Sequence, residues 1–351
     1  MTVQVEREPV ASLDAVREDW TALAEAVGSP FSTWEWASIW WKHFGDGRPL
    51  AIERCRAGGR TVCILPLYQF RARPLKVLRF VGHGPADQLE PLCALQDRAL
   101  AARALHEALA ESSAQLLLAD GLPGEKGWPE LLGGRVMNTT PSPVLDPQGA
   151  DFEGWLKTKS KNFRDQAKRR ERKLRREHES VEFRLCDDPE RLDSDFETLV
   201  RLHDAHWGER SRSFDGARKP FHREFAHAAL ERGWLRLWAL EVDGRTAAAW
   251  LGYRFGGIEW YYQAGRDPAL EREAVGFVLM IHTIRTALDD GMREYRLLLG
   301  GESYKDRFAN VDHGLETVAL AGGVAGRAAI AAVAAANRGP EPVRKRMKRL
   351  L

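Results

Sequence analysis

The segment Gly300-Gly301-Glu302-Ser303-Tyr304-Lys305-Asp306-Arg307-Phe308 places a phenol and an ammonium directly after a run of strand character, Glu294 to Leu299. Paired glycines let a backbone leave a strand end sharply, and the C-terminal ends of strands in open α/β sheets are where ligands bind. A tyrosine, with an ordinary pKa of about 10, can donate a proton to a departing thiolate, whose ordinary pKa is about 8.5. The same residues suit a structural reading equally well, with Tyr304 packed over the sheet edge and Lys305 in solvent.

Upstream, the loop from Gln263 to Gly276 holds Gly265, Asp267-Pro268 and Ala274-Val275-Gly276, small residues where a strand gives way to a helix. The unpaired N–H groups of a helix N-terminus there would receive a phosphate, although an ordinary capped connection explains the same residues. Residues 157 to 176, which include Lys161, Arg164 and Arg170, hold eleven Lys and Arg against two acids, a net of +9 in a chain whose total is +2. Such a stripe suits RNA, phosphate or an anionic surface, or else is a solvated helix face. Phe163 is the one aromatic within it, too few for stacking-based readout of bases. His203 and His206, three apart on a predicted helix, could face one metal, but no third ligand lies nearby and a structural role is expected.

These groups need elements to hold them. A length of 351 residues predicts two domains of about 150 to 180 residues each. Gly59 to Phe70 aligns without gaps to Gly244 to Phe255, with five of twelve positions identical. Both copies read as the second strand of a β-hairpin, and both are followed by a strand, a loop, a helix and a strand. An internal duplication accounts for the shared order, and the expected class is α/β, with helices on a mixed α+β sheet. The expected divisions are 1–145, then 150–320 with the basic helix 157–176, then a C-terminal helix and basic tail at 321–351. In the first copy His83-Gly84-Pro85-Ala86-Asp87 occupies the place of the phosphate-loop candidate; Asp87 there could be a general base or a turn former.

Composition excludes other classes. The hydrophobic share of 44% and charged share of 29% rule out disorder as the main property, and a net charge of +2 gives no global field. Four cysteines without a CxxC pair imply neither a disulfide framework nor structural zinc. The N-terminus lacks the basic and apolar regions of a secretory signal, so a cytoplasmic location is expected. The long apolar stretch Val318 to Ala336 is rich in Ala and Gly and carries Arg327, so it is expected not to span a membrane. Four of the twelve tryptophans, Trp34, Trp36, Trp40 and Trp41, crowd together, for which core packing is the commoner reason.

Taken together, the duplicated halves, the basic helix and the Gly-x-x-x-Tyr-Lys strand end resemble the double-domain branch of the GNAT acyltransferase superfamily. The chain looks most like the CelD/cellulose-biosynthesis acetyltransferases, relatives of the Fem aminoacyltransferases. The residues that carry the resemblance are Phe31 to Trp41, Ser160 to Arg164 with Arg169-Arg170, Tyr261-Tyr262 with Asp267-Pro268, Ala274 to Gly276 and Gly301 to Lys305. The resemblance spans about residues 15 to 320, and its last motif is the most specific. It implies two tandem GNAT-like domains and transfer of an acyl group from acyl-CoA, acetyl-CoA above all, to an amine, such as an amino sugar in cell-surface polysaccharide assembly. It also implies backbone donors to the donor's pyrophosphate from Ala274, Val275, Gly276 and Phe277, Tyr304 as general acid near the sulfur, and no metal. Of the family's glycine-rich phosphate loop only Gly276 stands in a comparable place. Fem relatives use aminoacyl-tRNA, which the basic helix would suit, and a non-catalytic module binding a phosphorylated glycan or lipid is a third reading.

Overall fold

The computed structural model describes residues 5–72 and 74–337, and the expected basic tail from Arg344 to Arg349 lies outside them. The chain forms two compact units, one from the residues up to Pro141 together with those from His313 on, the other Ser142–Asp312.

The first unit begins with β1 (Glu6–Val10), α1 (Arg17–Val27) and α2 (Trp34–Phe44), then the hairpin β2 (Ile52–Ala57) and β3 (Arg60–Leu65). It continues with β4 (Leu67–Ala72), β5 (Leu75–Phe80), β6 (Leu92–Cys93), α3 (Arg98–Glu111), β7 (Leu116–Pro123), α4 (Trp128–Leu132) and β8 (Arg135–Thr140). Thr33 caps α2 by accepting from the Trp36 N–H at 3.2 Å, and Trp36 and Trp40 are buried, so the tryptophan cluster is core. Pro66, without an N–H to continue a ladder, separates β3 from β4 and sends them into different sheets.

The second unit runs β9 (Pro143–Leu145), α5 (Phe152–Thr158), α6 (Lys161–Glu177), β10 (Val181–Leu185), α7 (Pro189–Trp207), α8 (Arg218–Glu231) and the hairpin β11 (Leu235–Val242) and β12 (Arg245–Phe255). After it come β13 (Ile258–Arg266), α9 (Val275–Asp289), β14 (Glu294–Arg296) and β15 (Val311–Asp312), and the chain then returns to the first unit as β16 (Leu315–Ala321) and α10 (Val324–Asn337). The second half expected at 150–320 therefore ends at Asp312, because β16 pairs with β7 and β8.

Among the described residues the strands form three sheets, ordered β1-β2-β3-β6, β4-β5-β7-β16-β8 and β10-β11-β12-β13-β14-β9-β15. The class is mixed α/β. Each unit carries a hairpin and an antiparallel strand pair, then a helix that crosses to a parallel strand: β5, α3 and β7 in the first, β13, α9 and β14 in the second. Helix α9 is buried around most of its circumference, and its Val275, Leu279, Ile284 and Leu288 share one core with Trp250, Tyr295 and the α6 stripe Phe163, Ala167 and Leu174. No helix among the described residues is long and apolar enough to cross a membrane.

Helix α7 lies directly on β13, and Gly265 permits the approach: a Cβ there would sit 2.5 Å from the Leu202 carbonyl carbon and closer still to the His203 nitrogen. Gly265→Ala is expected to cost at least about 1–3 kcal/mol, the usual range for overpacking. Thermal unfolding checks this, and an unchanged midpoint would rule out the close packing.

Candidate active site

β13 and β14 pair in parallel only through Ile258–Trp260 and Glu294–Arg296. Beyond Arg296 the chain turns away, with Leu298 at φ 56° and Gly300 at φ 120°, so the strand expected to run to Leu299 stops at Arg296. β13 continues as Tyr261–Arg266, paired with β12 on one edge and without β14 on the other, and a cavity of about 360 Å³ opens beside it. Its walls are Ala248, Ala249 and Trp250 of β12, Tyr261 and Ala264 to Arg266 of β13, and Gly276, Phe277, Leu279 and Met280 of α9. His206 and Trp207 from the end of α7 and Tyr304, Arg307 and Phe308 from the following loop complete it.

Tyr304 stands just before a single 3-10 turn, Lys305–Arg307, rather than within the first turn of a longer helix. Burial raises its pKa, while a hydrogen bond with Tyr261 opposes the rise. The Tyr261 phenol is itself raised, by burial first and then by Tyr304. With both pKa values raised, both phenols are neutral near pH 7. A phenol whose pKa lies above that of a thiol could offer a leaving sulfur an O–H hydrogen bond that stabilises developing charge.

Lys305, expected in solvent or in the chemistry, is buried: its Nζ donates to the Leu299 carbonyl at 2.6 Å and meets Glu302 at 3.0 Å. It ties down the loop that presents Tyr304. Lys159 does the same from the other side, donating to the Phe308 carbonyl at 2.6 Å with its pKa lowered by burial to about 8.

At the start of α9, Ala274 is the N-cap in the left-handed region at φ 55°. Its own N–H goes to the Glu271 carbonyl, and its carbonyl accepts from the Phe277 N–H at 2.9 Å. Of the four residues expected to offer backbone donors, Val275 and Gly276 thus retain N–H groups without intrahelical acceptors. Phe277 serves through its ring, which packs against Phe163 and Phe308 with centroids 5.8 Å away in each case.

Two guanidiniums lie over that ring, Arg170 at 5.5 Å and Arg307 at 5.4 Å. Arg170 follows Phe163 and Ala167 and precedes Leu174 at helical spacing, so the buried stripe of α6 aims it inward. Burial and then repulsion from Arg307 and Arg169 lower its pKa. A second cavity, also about 360 Å³, is lined by Arg169, Arg170, Lys173 and Arg272 with Glu177 and Glu273. Lys161 is exposed at the start of α6 and lines neither cavity, and Arg164 donates to the carbonyls of Lys157 and Lys159. Asp87 lies in the first unit, whereas the cavity is lined by second-unit residues. Sequence reasoning missed Arg266, Arg307 and Phe308 as cavity residues, and also the Tyr261 to Tyr304 bond; a Tyr and an Arg on separate elements carry no mutual spacing signal.

Residues 161–306 match the acetyltransferase (GNAT) domain family. That stretch includes Arg170, Gly276 and Tyr304. Among solved structures the whole chain is similar in fold to FemX, with 10% identity, 89% of this chain and 96% of that chain covered and a TM-score of 0.62. It is similar also to the C-terminal domain of a protein described as a lysylphosphatidylglycerol synthetase from Agrobacterium fabrum (11% identity, 92% and 96% covered, TM-score 0.60). A third is L-PGS from Bacillus licheniformis (13%, 92% and 95%, TM-score 0.57). At these identities the likeness is one of fold. No curated protein matches the chain.

Behind the cavity wall His203 Nδ1 meets the Ala264 carbonyl at 3.1 Å and Nε2 meets Ser211 Oγ at 2.8 Å, so both ring nitrogens are used structurally. No group of three or more potential metal ligands occurs among the described residues. Burial lowers the pKa of His203, of His222 to about 3 and of His282 to about 4. The unfolded chain takes up these protons near pH 6.5, so their contribution is present above that pH and is lost as pH falls toward 4 and 3. Urea midpoints should drop across this window, and His222→Gln should shallow the slope; an unchanged slope would mean that His222 is already protonated in the folded state.

Proposed function

We propose that the second unit transfers an uncharged acyl group from a thioester of the acyl-CoA type, acetyl-CoA in the simplest case, to an amine. The observation that carries this reading is the cavity's chemistry: Arg266, Arg307 and His206 contribute its ionisable nitrogen groups, and no acidic side chain is among its lining residues. An aminoacyl donor brings an α-ammonium, which would lie among cations without a carboxylate partner and is disfavoured on Coulombic grounds. A neutral acyl chain and an apolar donor arm meet Ala248, Trp250, Leu279 and Met280 instead.

In this reading the Val275 and Gly276 N–H groups and the Arg170 and Arg307 guanidiniums receive the donor's phosphates. The amine nitrogen attacks the thioester carbonyl, the C–S bond breaks, and the departing sulfur takes its hydrogen bond from Tyr304, itself held by Tyr261. The resemblance to CelD-type acetyltransferases makes an amino sugar of a surface polysaccharide the acceptor of choice. The net +9 of residues 157–176 favours a second reading, an aminoacyl-tRNA donor with the basic helix on its phosphates.

Thermal-shift measurements with acetyl-CoA and longer acyl-CoAs decide between them. A ligand at a hundredfold excess over Kd stabilises by about 2.7 kcal/mol, and no shift with any acyl-CoA would move preference to the tRNA reading. Tyr304→Phe should lower kcat about 100-fold and leave the acetyl-CoA shift unchanged; wild-type turnover would end the assignment of Tyr304.

A further inference from the structure

Amine acyl transfer requires that a proton leave the attacking nitrogen, and the phenols and arginines of the cavity are unsuited to take it. Tyr261 and Tyr304 are neutral donors with raised pKa values, and Arg266 and Arg307 are cations with no lone pair to offer. One lining side chain carries a basic nitrogen. We propose that His206 is the general base that takes this proton from the acceptor amine, a role that rests on the acyl-transfer reading above.

Three independent features of its setting support this. His206 lies in the last turn of α7, where the spacing from His203 to His206 and Trp207 puts all three along one helix face against β13. His203 and Trp207 both bond the Ala264 carbonyl, at 3.1 and 3.3 Å, which anchors the turn. Neither ring nitrogen of His206 has a hydrogen-bond partner among the described residues, in contrast to His203. Its ring rests on Trp207 with centroids 4.7 Å apart, and Arg210 holds its backbone carbonyl at 2.6 Å, so the side chain is placed without its nitrogens being consumed.

The charges that face it keep it unprotonated. Burial acts first, then Arg266 from β13 and Arg210 from the turn after α7, with His203 adding to them and Glu271 opposing. The same cations disfavour an ammonium in the cavity, so the amine's proton moves toward an imidazole that is neutral on entry. The ammonium gives one proton to a His206 ring nitrogen, the freed lone pair forms the C–N bond, and the C–S bond breaks with its electron pair on sulfur, which takes the second proton of the attacking nitrogen to give amide and thiol. The imidazolium then returns its proton to solvent.

The test uses the full chain with acetyl-CoA and two acceptors, glucosamine and hydroxylamine, and follows thiol release below neutral pH. There glucosamine is mostly protonated and hydroxylamine largely neutral. His206→Gln is expected to lower kcat with glucosamine about 100-fold, to leave the hydroxylamine rate within a few-fold of wild type, and to leave the acetyl-CoA thermal shift intact. His206→Asn serves as a second variant should His206→Gln fail to fold. Equal losses with both acceptors would show a structural role and overturn the proposal, as would no loss with glucosamine. If the wild type releases no thiol with either amine and acetyl-CoA gives no shift, acyl transfer itself falls and the base falls with it. A normal wild-type rate with an unaffected variant removes His206 alone.

Discussion

β13 and β14 pair through three residues each and then part, and the second unit's site depends on that parting. A strand whose neighbour leaves is left with unpaired backbone groups, and a buried carbonyl without a donor costs about 1–3 kcal/mol. The Ala264 carbonyl meets this constraint through side chains of α7, His203 and Trp207. Gly265 lets that helix come close enough to deliver them. The solution to the backbone problem is therefore also what brings His206 and Trp207 to the cavity, since residues three and four apart on a helix share a face.

The first unit has the same crossover and resolves the gap differently. β5 and β7 pair in parallel through Val77–Arg79 and Leu116–Leu118, and β7 continues. There the loop that follows β5 fills the space: the Leu89 N–H bonds the Gly121 carbonyl at 3.0 Å, and Gln88, Leu89 and Glu90 are buried. Glu90 is satisfied by Lys126 at 2.6 Å and by the Trp128 indole at 3.0 Å, a buried polar cluster with its partners in place. One order of elements thus yields a packed joint in one unit and an open cavity in the other, and the difference lies in the loops.

Local signals in the chain were legible where they depend on neighbours in sequence. The hairpin at Asp243-Gly244 and the α9 start near Gly276 each follow from turn chemistry, whereas β14 ends at Arg296 and Leu298 turns the chain before Gly300-Gly301 is reached. What escaped depends on groups far apart in the chain. Lys305 looks like a solvated charge until the Leu299 carbonyl and Glu302 close around it. Phe277 looks like a backbone donor until Ala274, in the left-handed region, takes its N–H. The return of β16 to the first unit is likewise invisible locally, because its partners β7 and β8 lie more than 170 residues upstream.

The charge distribution carries the argument about the ligand furthest. Arg170 and Arg307 both lie over Phe277, and Arg307 over Phe163 as well, in a cluster that Phe308 completes, and cation–π contact offsets part of their desolvation without neutralising them. The Arg170 pKa is lowered by burial first and then by repulsion from Arg307 and Arg169, and an anion beside the guanidiniums would relieve the repulsion. The cavity beside them combines alanines, Trp250, Leu279, Met280 and the phenols of Tyr261 and Tyr304 with the guanidinium of Arg266 and the imidazole of His206. Complementarity to this lining would call for a molecule with both an anionic and an uncharged part. A free anion would leave the inner cavity unfilled, and an apolar molecule alone would leave the guanidiniums repelling each other. The near-zero net charge of the whole chain is compatible with this demand because the field that matters acts within a Debye length of about 10 Å.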